Sequence, residues 1–249
     1  MNFPKISIIT IVFNGEKEIE KTLQSVIAQK KHVSFEYIVV DGKSTDRTAE
    51  IIQHYISDID VYVSESDRGI SDAFNKGVKL ANGSWVNFLN AGDTFASDQT
   101  LLEVSLFLDT KYDIVYGDMN FVDEEGIILR RMTKKNVNVP FYRMFRVLHQ
   151  STFHNKSYFD EYGLFDIEFK RVMDLELLLR KRELKYLHVD RVFSNLEIGG
   201  ISQTNIVDVY EEIRQAYLKN TSYMPFDLFV NKWRSICFHY LHKIKSQFI

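Results

Sequence analysis

Ile6-Ser7-Ile8-Ile9-Thr10-Ile11-Val12-Phe13-Asn14-Gly15 is the stretch from which the rest of the chain can be read. From Ile6 to Phe13 the run is β-branched without a gap, the pattern of a strand buried on both faces, and Asn14-Gly15 ends it. A helical pattern follows, with Ile19, Leu23, Val26 and Ile27 on one face. The same unit then repeats. Tyr37-Ile38-Val39-Val40 is a second strand ending on Asp41, and the turn Gly42 to Asp46 offers several N-caps for a helix through Ile51, Ile52 and Tyr55. Val61-Tyr62-Val63 is a third strand, before a helix carrying Ala73, Phe74, Val78 and Ala81 that Asn82-Gly83 stops. Trp85 to Leu89 is a fourth strand, ending in Asn90-Ala91-Gly92-Asp93. Strand–helix alternation with such loops predicts βαβ units and a largely parallel sheet. Asn14, Asp41, Glu65 and Asp93 fall at four consecutive strand ends, the edge where open parallel sheets bind ligands.

Beyond residue 95 the pattern is less regular. The reading predicts a helix over 101–108, a strand over 114–118, a hairpin turn at 123–126 into Ile127-Ile128-Leu129, and a short strand over 149–153. Further on it predicts a helix over 174–184, an extended segment over 186–196 and a helix over 207–218. In the last stretch Phe229, Trp233, Ile236, Tyr240, Leu241 and Ile244 recur at helical spacing, with Lys232, Arg234, Lys243 and Lys245 against the single acid Asp227. That basic amphipathic pattern suits a membrane surface or a partner, and equally the chain's own domain.

Composition narrows the class. The 249 residues, 45% hydrophobic and 26% charged, describe a globular chain rather than a disordered one. A net charge of −3 gives no footprint for nucleic acid. The lone Cys237 excludes an intrachain disulfide and a Cys-rich zinc site. The longest early apolar run is too short to span a bilayer and lacks signal-peptide flanks. A soluble, cytoplasmic protein, in contact with the inner membrane face at most through its end, is the expectation.

Seven blocks in order carry a resemblance. Ser7 to Asn14, Val39 to Asp46, Asp67 to Gly77 and Phe88 to Asp93 are followed by His149-Gln150, Met173 to Leu177 and Gly199-Gly200-Ile201-Ser202. Together they resemble family 2 glycosyltransferases, and the wording of Asp72 to Gly77 and Asn90 to Asp93 is similar to members that build bacterial surface polysaccharides such as O antigen and capsule. The resemblance implies an α/β GT-A fold, a mixed and mostly parallel Rossmann-like sheet flanked by helices. It also implies a nucleotide-sugar donor, UDP-linked by expectation, a divalent Mn²⁺ or Mg²⁺ and inversion at the anomeric carbon. The acceptor it implies is a glycan, carried on a polyprenyl diphosphate. The expected organisation is a GT-A domain over 1–204, with a nucleotide-binding half over 1–95 and an acceptor and catalytic half over 96–204. A helical C-terminal extension over 205–249 completes it.

The same resemblance assigns roles. Asp93 keeps the last carboxylate of the family's acidic motif and is the expected metal ligand, with a helix or turn cap as the alternative. Asn90 stands where the family has an acid, so it contributes no charge and is expected at the nucleotide. Asp41 resembles the carboxylate that accepts from a uracil N3–H, although a cap is again open. Thr10, Asn14, Arg68 and Asp72 are expected near the donor nucleotide, Arg68 and Asp72 with surface roles as alternatives. Asp174 is the expected general base, in competition with an N-cap role, and Met173 replaces a common acid beside it. Glu176 and His149 are next in line as base. His149, Gly200 and Ser202 are expected at the donor sugar, diphosphate or acceptor.

Other classes compete. A nucleotide- or glycan-binding module without catalysis is favoured by the Asn90 and Met173 departures. A sugar nucleotidyltransferase shares the sheet, but Asn14-Gly15-Glu16-Lys17 is not its Gly- and Arg-rich phosphate loop. No G-x-G-x-x-G follows Phe13, which excludes a Rossmann dehydrogenase. No Gln-x-x-Arg-Trp block occurs, so one sugar per encounter is expected.

Overall fold

The computed structural model describes residues 5–123, 125–133, 149–197 and 206–221. Its first half is the predicted alternation: β1 (Ile6–Val12), α1 (Ile19–Ala28), β2 (Glu36–Asp41), α2 (Thr48–His54), β3 (Val61–Ser64), α3 (Ile70–Leu80) and β4 (Trp85–Phe88). Next come β5 (Thr94–Phe95), α4 (Thr100–Ser105), β6 (Ile114–Val122), β7 (Ile128–Met132), β8 (Thr152–Asn155) and α5 (Lys156–Tyr162). The last elements are α6 (Met173–Leu179), β9 (Tyr186–Glu197) and α7 (Ile206–Asn220).

All join one mixed sheet in the order β3-β2-β1-β4-β8-β6-β9-β5, with β7 on β6. The first four strands are parallel, β8 runs antiparallel to β4 and β6, and β6 and β9 are parallel. Every residue of β1 is buried. Ile9 and Ile11 enter the core beneath α3, α5, α6 and α7, while Ile6, Ile8 and Val12 enter the core beneath α1, α2 and α4. Two covered faces explain the gapless apolar run, and each fully buried Ile or Val contributes about 1.5–3 kcal/mol. α3 can lie close on β1 because Gly77 has no side chain; a methyl there would run into Ile9.

The second half departs from expectation in several places. The predicted strand over 149–153 begins as a 3-10 turn, His149–Ser151, because Asn87 Nδ2 donates to the carbonyls of Gln150 and Thr152 at 3.1 and 2.9 Å. The helix predicted to reach residue 184 ends at Leu179. There the Arg180 guanidinium turns to the carbonyls of Tyr162 and Leu164, each at 2.8 Å. α5 was not foreseen; Asn155 caps it by accepting from Ser157 N. α7, which falls in the expected C-terminal extension, packs against the rest of the chain. Ile213, Ala216 and Tyr217 of α7 are buried in the same core as α3 and α6. Arg171 pairs with Glu212 at 2.8 Å, and Asn220 Nδ2 donates to Glu176 at 3.0 Å. The basic amphipathic stretch over 226–249 lies outside the described residues, as do Gly200, Ser202 and Cys237.

β8 holds an unusual core group. His154 is buried between the rings of Phe88 and Phe159, and neither ring nitrogen has a partner among the described residues. Burial, and to a lesser degree the nearby His149, pushes its pKa down to about 3. The folded value lies below the unfolded one, so this contribution to stability is complete above the unfolded value and lost as pH falls. Between pH 7 and pH 5 the unfolded chain takes up a proton that folded His154 refuses, costing about 2 kcal/mol. His154→Leu is expected to lose that much less stability over this interval in urea melts; an unchanged pH dependence would contradict it.

Candidate functional site

The parallel strands deliver their C-terminal ends to one edge, and a chain of hydrogen bonds ties three of those ends together. Asn14, in the left-handed region at φ 50°, accepts from Thr45 N at 2.8 Å through Oδ1 and donates its own N–H to Ser44 Oγ at 2.8 Å. Ser44 donates to Asp41 Oδ1 from its backbone N at 3.0 Å and from Oγ at 2.5 Å, and Ser64 Oγ donates to Asp41 Oδ2 at 2.6 Å. Asp41 is fully buried, and three of the roughly four acceptor positions of a carboxylate are occupied. The N-cap of α2 is Arg47, and Asp46 just before it accepts from Thr48 N at 3.0 Å. Asp67 closes this corner: a Cβ on Gly42 would stand 2.6 Å from Asp67 Oδ2 and would push that side chain aside. Phe13 projects from the end of β1 beside Gly42 and is 64% exposed, a large aromatic surface left in water.

Thr10 is not brought to this edge. It is fully buried two residues before the strand end, with its hydroxyl 3.1 Å from Tyr37 Oη. Period two sends its side chain into the core with Ile8 and Val12. Arg68 and Asp72 hold each other: Arg68 donates to Asp72 from its backbone N at 3.0 Å and from Nη2 at 3.2 Å. The Arg68 hydrogen bond keeps the Asp72 carboxyl below the usual carboxylate range. Glu65 pairs with Lys76 at 3.1 Å.

The turn after β4 is built to present one carboxylate. Asp93 N donates to Asn90 O at 3.0 Å, and Gly92 at φ 99° supplies the conformation this tight turn needs. Thr22 of α1 pins it from below, donating to Asp93 O at 2.8 Å and accepting from Gly92 N at 3.0 Å. β5 follows directly, so Asp93 caps no helix. The facing 3-10 turn matches it residue for residue. Asn90 Nδ2 donates to His149 Nε2 at 3.1 Å, and Gln150 Nε2 donates to Asp93 Oδ2 at 3.0 Å. With Nε2 accepting, the His149 proton sits on Nδ1. Burial pushes the His149 pKa down to about 4, so the ring is neutral at pH 7.

Burial also drives the Asp93 pKa up to about 7, against the lowering effects of Gln150 and the Lys21 charge. Lys21 is itself paired with Glu197. Among the described residues this carboxylate has no cation of its own, and two buried amide oxygens on the same pair of turns, Asn90 Oδ1 and Gln150 Oε1, lack partners. Among the described residues no group of three His, Cys, Asp or Glu could hold a metal ion. One carboxylate with neutral hard oxygens still fits Mg²⁺ or Mn²⁺, which keep waters and take substrate phosphates as ligands.

Asp174 occupies the second position of α6, and the N-cap is Val172. Its Oδ1 accepts from Leu175 N at 2.8 Å, and burial raises its pKa to about 6. Asp174 is therefore not the N-cap residue itself, although its carboxylate accepts an N–H of the first turn. Glu176 is fully buried with Arg180 and Asn220 on its carboxylate, so it is not free to act as base. α3 holds the loop before α6: Ser71 Oγ donates to Phe169 O at 2.5 Å, and Asn75 exchanges two bonds with Phe165, each 2.8 Å. Phe74 touches Phe88, His149 and Phe165, at 4.7, 5.4 and 5.7 Å between centroids, and so joins both halves. The side chains of Phe13, Thr22, Asn87, Asn75 and Gln150 were given no role at the site. For Phe13, Asn75 and Gln150, the signal was their place inside the quoted blocks.

Residues 7–162 match the family model described as Glycosyl transferase family 2. Over 223 residues the chain is 31% identical to a PGL/p-HBAD biosynthesis glycosyltransferase of Mycobacterium tuberculosis, covering 84% of this chain and 82% of that protein. Among solved structures, S. aureus TarS 1-349 in complex with UDP-GlcNAc superposes with a TM-score of 0.71 at 20% identity, over 93% of this chain and 73% of that one. The mannosyltransferase PcManGT from Pyrobaculum calidifontis, in complex with GDP-Man and Mn²⁺, gives 0.65 at 17% identity, over 88% and 64%. Both share the GT-A fold described above.

Proposed function

The chain belongs to glycosyl transferase family 2 and is a glycosyltransferase; we propose that it moves one sugar from a UDP-sugar to a hydroxyl of a lipid-linked glycan, with inversion. The observation that carries this reading is Asp93: a buried carboxylate with no cation of its own, on the turn after β4. Its Oδ2 is held by Gln150, which leaves Oδ1 for Mn²⁺ or Mg²⁺, with the amide oxygens of Asn90 and Gln150 as neutral neighbours. When bound, the cation supplies charge to the leaving diphosphate. Asp174 takes the proton of the acceptor hydroxyl as its oxygen bonds to the anomeric carbon. The bond from that carbon to the diphosphate breaks, and UDP departs with the electron pair. A carboxyl with a pKa of about 6 is ionised at pH 7 and still basic enough to accept.

For the base of the nucleotide, the exposed Phe13 ring offers a stacking face beside Asp41. Asp41 reads the uracil N3–H after Ser44 or Ser64 gives up its place on the carboxylate. Stacking on an aromatic is worth about 1–3 kcal/mol per base. Phe13→Ala is thus expected to weaken UDP binding about 5- to 150-fold by titration calorimetry, and unchanged affinity would remove the platform. The acceptor class rests on the likeness to surface-polysaccharide enzymes and on a relative named for PGL/p-HBAD biosynthesis. No helix among the described residues is long and apolar enough to cross a membrane. The membrane-face location is therefore proposed from the basic amphipathic sequence over 226–249 alone.

A thermal-shift screen of nucleotide sugars tests the donor. Ligand at 100 times its Kd stabilises by about 2.7 kcal/mol, so UDP-sugars should raise Tm with Mn²⁺ and much less with EDTA. A shift given by GDP- or dTDP-sugars and not by UDP-sugars would overturn the base assignment.

A further inference from the structure

We propose that Gln150 is a positioning residue for the metal–diphosphate site: its amide locks the Asp93 carboxylate in one orientation, so that a single oxygen is turned to the cation. The inference rests on the metal role proposed for Asp93 and concerns a residue to which no role has been assigned.

Several observations converge on it. Gln150 Nε2 donates to Asp93 Oδ2 at 3.0 Å, and both side chains are buried. Among the described side chains, Gln150 provides the one hydrogen bond recorded on that carboxylate. The turn that carries Gln150 is itself fixed. Asn87 Nδ2 donates to Gln150 O, and Ser151 Oγ donates to Asp118 O at 2.9 Å and lies 2.5 Å from Ser194 Oγ. Thr22 fixes the opposing turn through the Asp93 carbonyl and the Gly92 amide. With both backbones held, the Gln150–Asp93 bond sets the remaining freedom, the rotation of the carboxylate.

The amide chemistry suits the task. Gln brings no charge, so the site keeps one negative charge for a divalent cation that also meets a diphosphate. A Lys or Arg at 150 would neutralise Asp93 and compete with the metal; a carboxylate there would repel Asp93 when the metal is absent. The other end of the amide, Oε1, is buried without a partner and is an acceptor for a metal-bound water. Hydrogen-bond partners that orient a metal-ligating carboxylate typically contribute about 10–100-fold in metal affinity.

The test is Mn²⁺ affinity by electron paramagnetic resonance, in the presence of saturating UDP, for wild type, Gln150→Met and Asp93→Asn. Met keeps the length and volume of Gln without the donor; Gln150→Asn, one methylene too short to reach Asp93, replaces it if Met does not fold. The expected result is Mn²⁺ binding about 10–100-fold weaker in the Gln150 variant. UDP affinity in EDTA should stay near wild type. Unchanged Mn²⁺ affinity in the Gln150 variant, with Asp93→Asn losing it, overturns the positioning role alone. Unchanged affinity in both variants overturns the metal role of Asp93 as well. A Gln150 loss that appears equally in UDP affinity in EDTA makes the residue a structural support of the loop and also overturns the proposal.

Discussion

Asp93→Asn is expected to lower kcat/KM by about 10³-fold or more, because the stabilisation a divalent cation gives a leaving diphosphate is worth several kcal/mol and each 1.36 kcal/mol is tenfold. The substitution keeps the shape of the turn. Asp93 N still donates to Asn90 O, and Thr22 still holds the loop through backbone atoms. The loss should therefore appear in Mn²⁺-dependent UDP binding and in turnover, not in the fold. The folded protein is expected to gain stability without metal at pH 8, since a carboxyl with a pKa of about 7 is buried there as an anion. Calorimetric titration of UDP in Mn²⁺ and in EDTA checks this. A mutant that binds UDP in Mn²⁺ as wild type does would contradict it.

Asp174→Asn is expected to reduce kcat about 10²–10⁴-fold while leaving UDP affinity in Mn²⁺ within twofold or so, the usual size of general-base catalysis. The pH profile separates this from structural damage. The Asp174 carboxyl is raised to about 6 by burial, so wild-type kcat/KM should fall tenfold per pH unit below that value, and the limb should vanish in the mutant. Stability gives a second sign. The folded pKa exceeds the unfolded one, so the fold favours the protonated form, and the penalty grows as pH rises from about 4 to about 6. Above that it is complete, and Asp174→Asn should melt higher than wild type at pH 8. Asn caps a helix about as well as Asp, so the substitution leaves any capping contribution in place. Turnover within a few-fold of wild type, with the pH limb retained, would move the base elsewhere, and neither Glu176 nor His149 is free to replace it.

What sequence makes legible here follows from how many faces of an element are buried. β1, β2 and β4 lie between two cores, so apolar residues fall on both faces of each and their ends, with Asn14, Asp41 and Asp93, can be read directly. The Thr10 side chain is hard to place for the same reason: in a strand buried on both sides, the sequence does not say that its hydroxyl lies against Tyr37. α7 reads as an appendage because an amphipathic stripe does not say what it packs against; Ile213 and Tyr217 pack into the central core. β5 is two residues long, too short for any periodicity, and its absence from the reading left a helix cap open for Asp93. The pairing of the β4 turn with the His149 turn joins residues some sixty positions apart. No local pattern encodes that, so Gln150 stayed hidden beside its neighbour.

Nucleotide release from a panel of UDP-, GDP-, dTDP- and CMP-sugars, measured on the wild-type protein with Mn²⁺ and then with EDTA, tests the central claim most directly. The account predicts that a UDP-sugar is consumed, by slow hydrolysis without an acceptor and faster with a lipid-linked glycan, and that EDTA and Asp93→Asn each stop it. Release from a different nucleotide sugar, or UDP release that EDTA leaves unchanged, would contradict it.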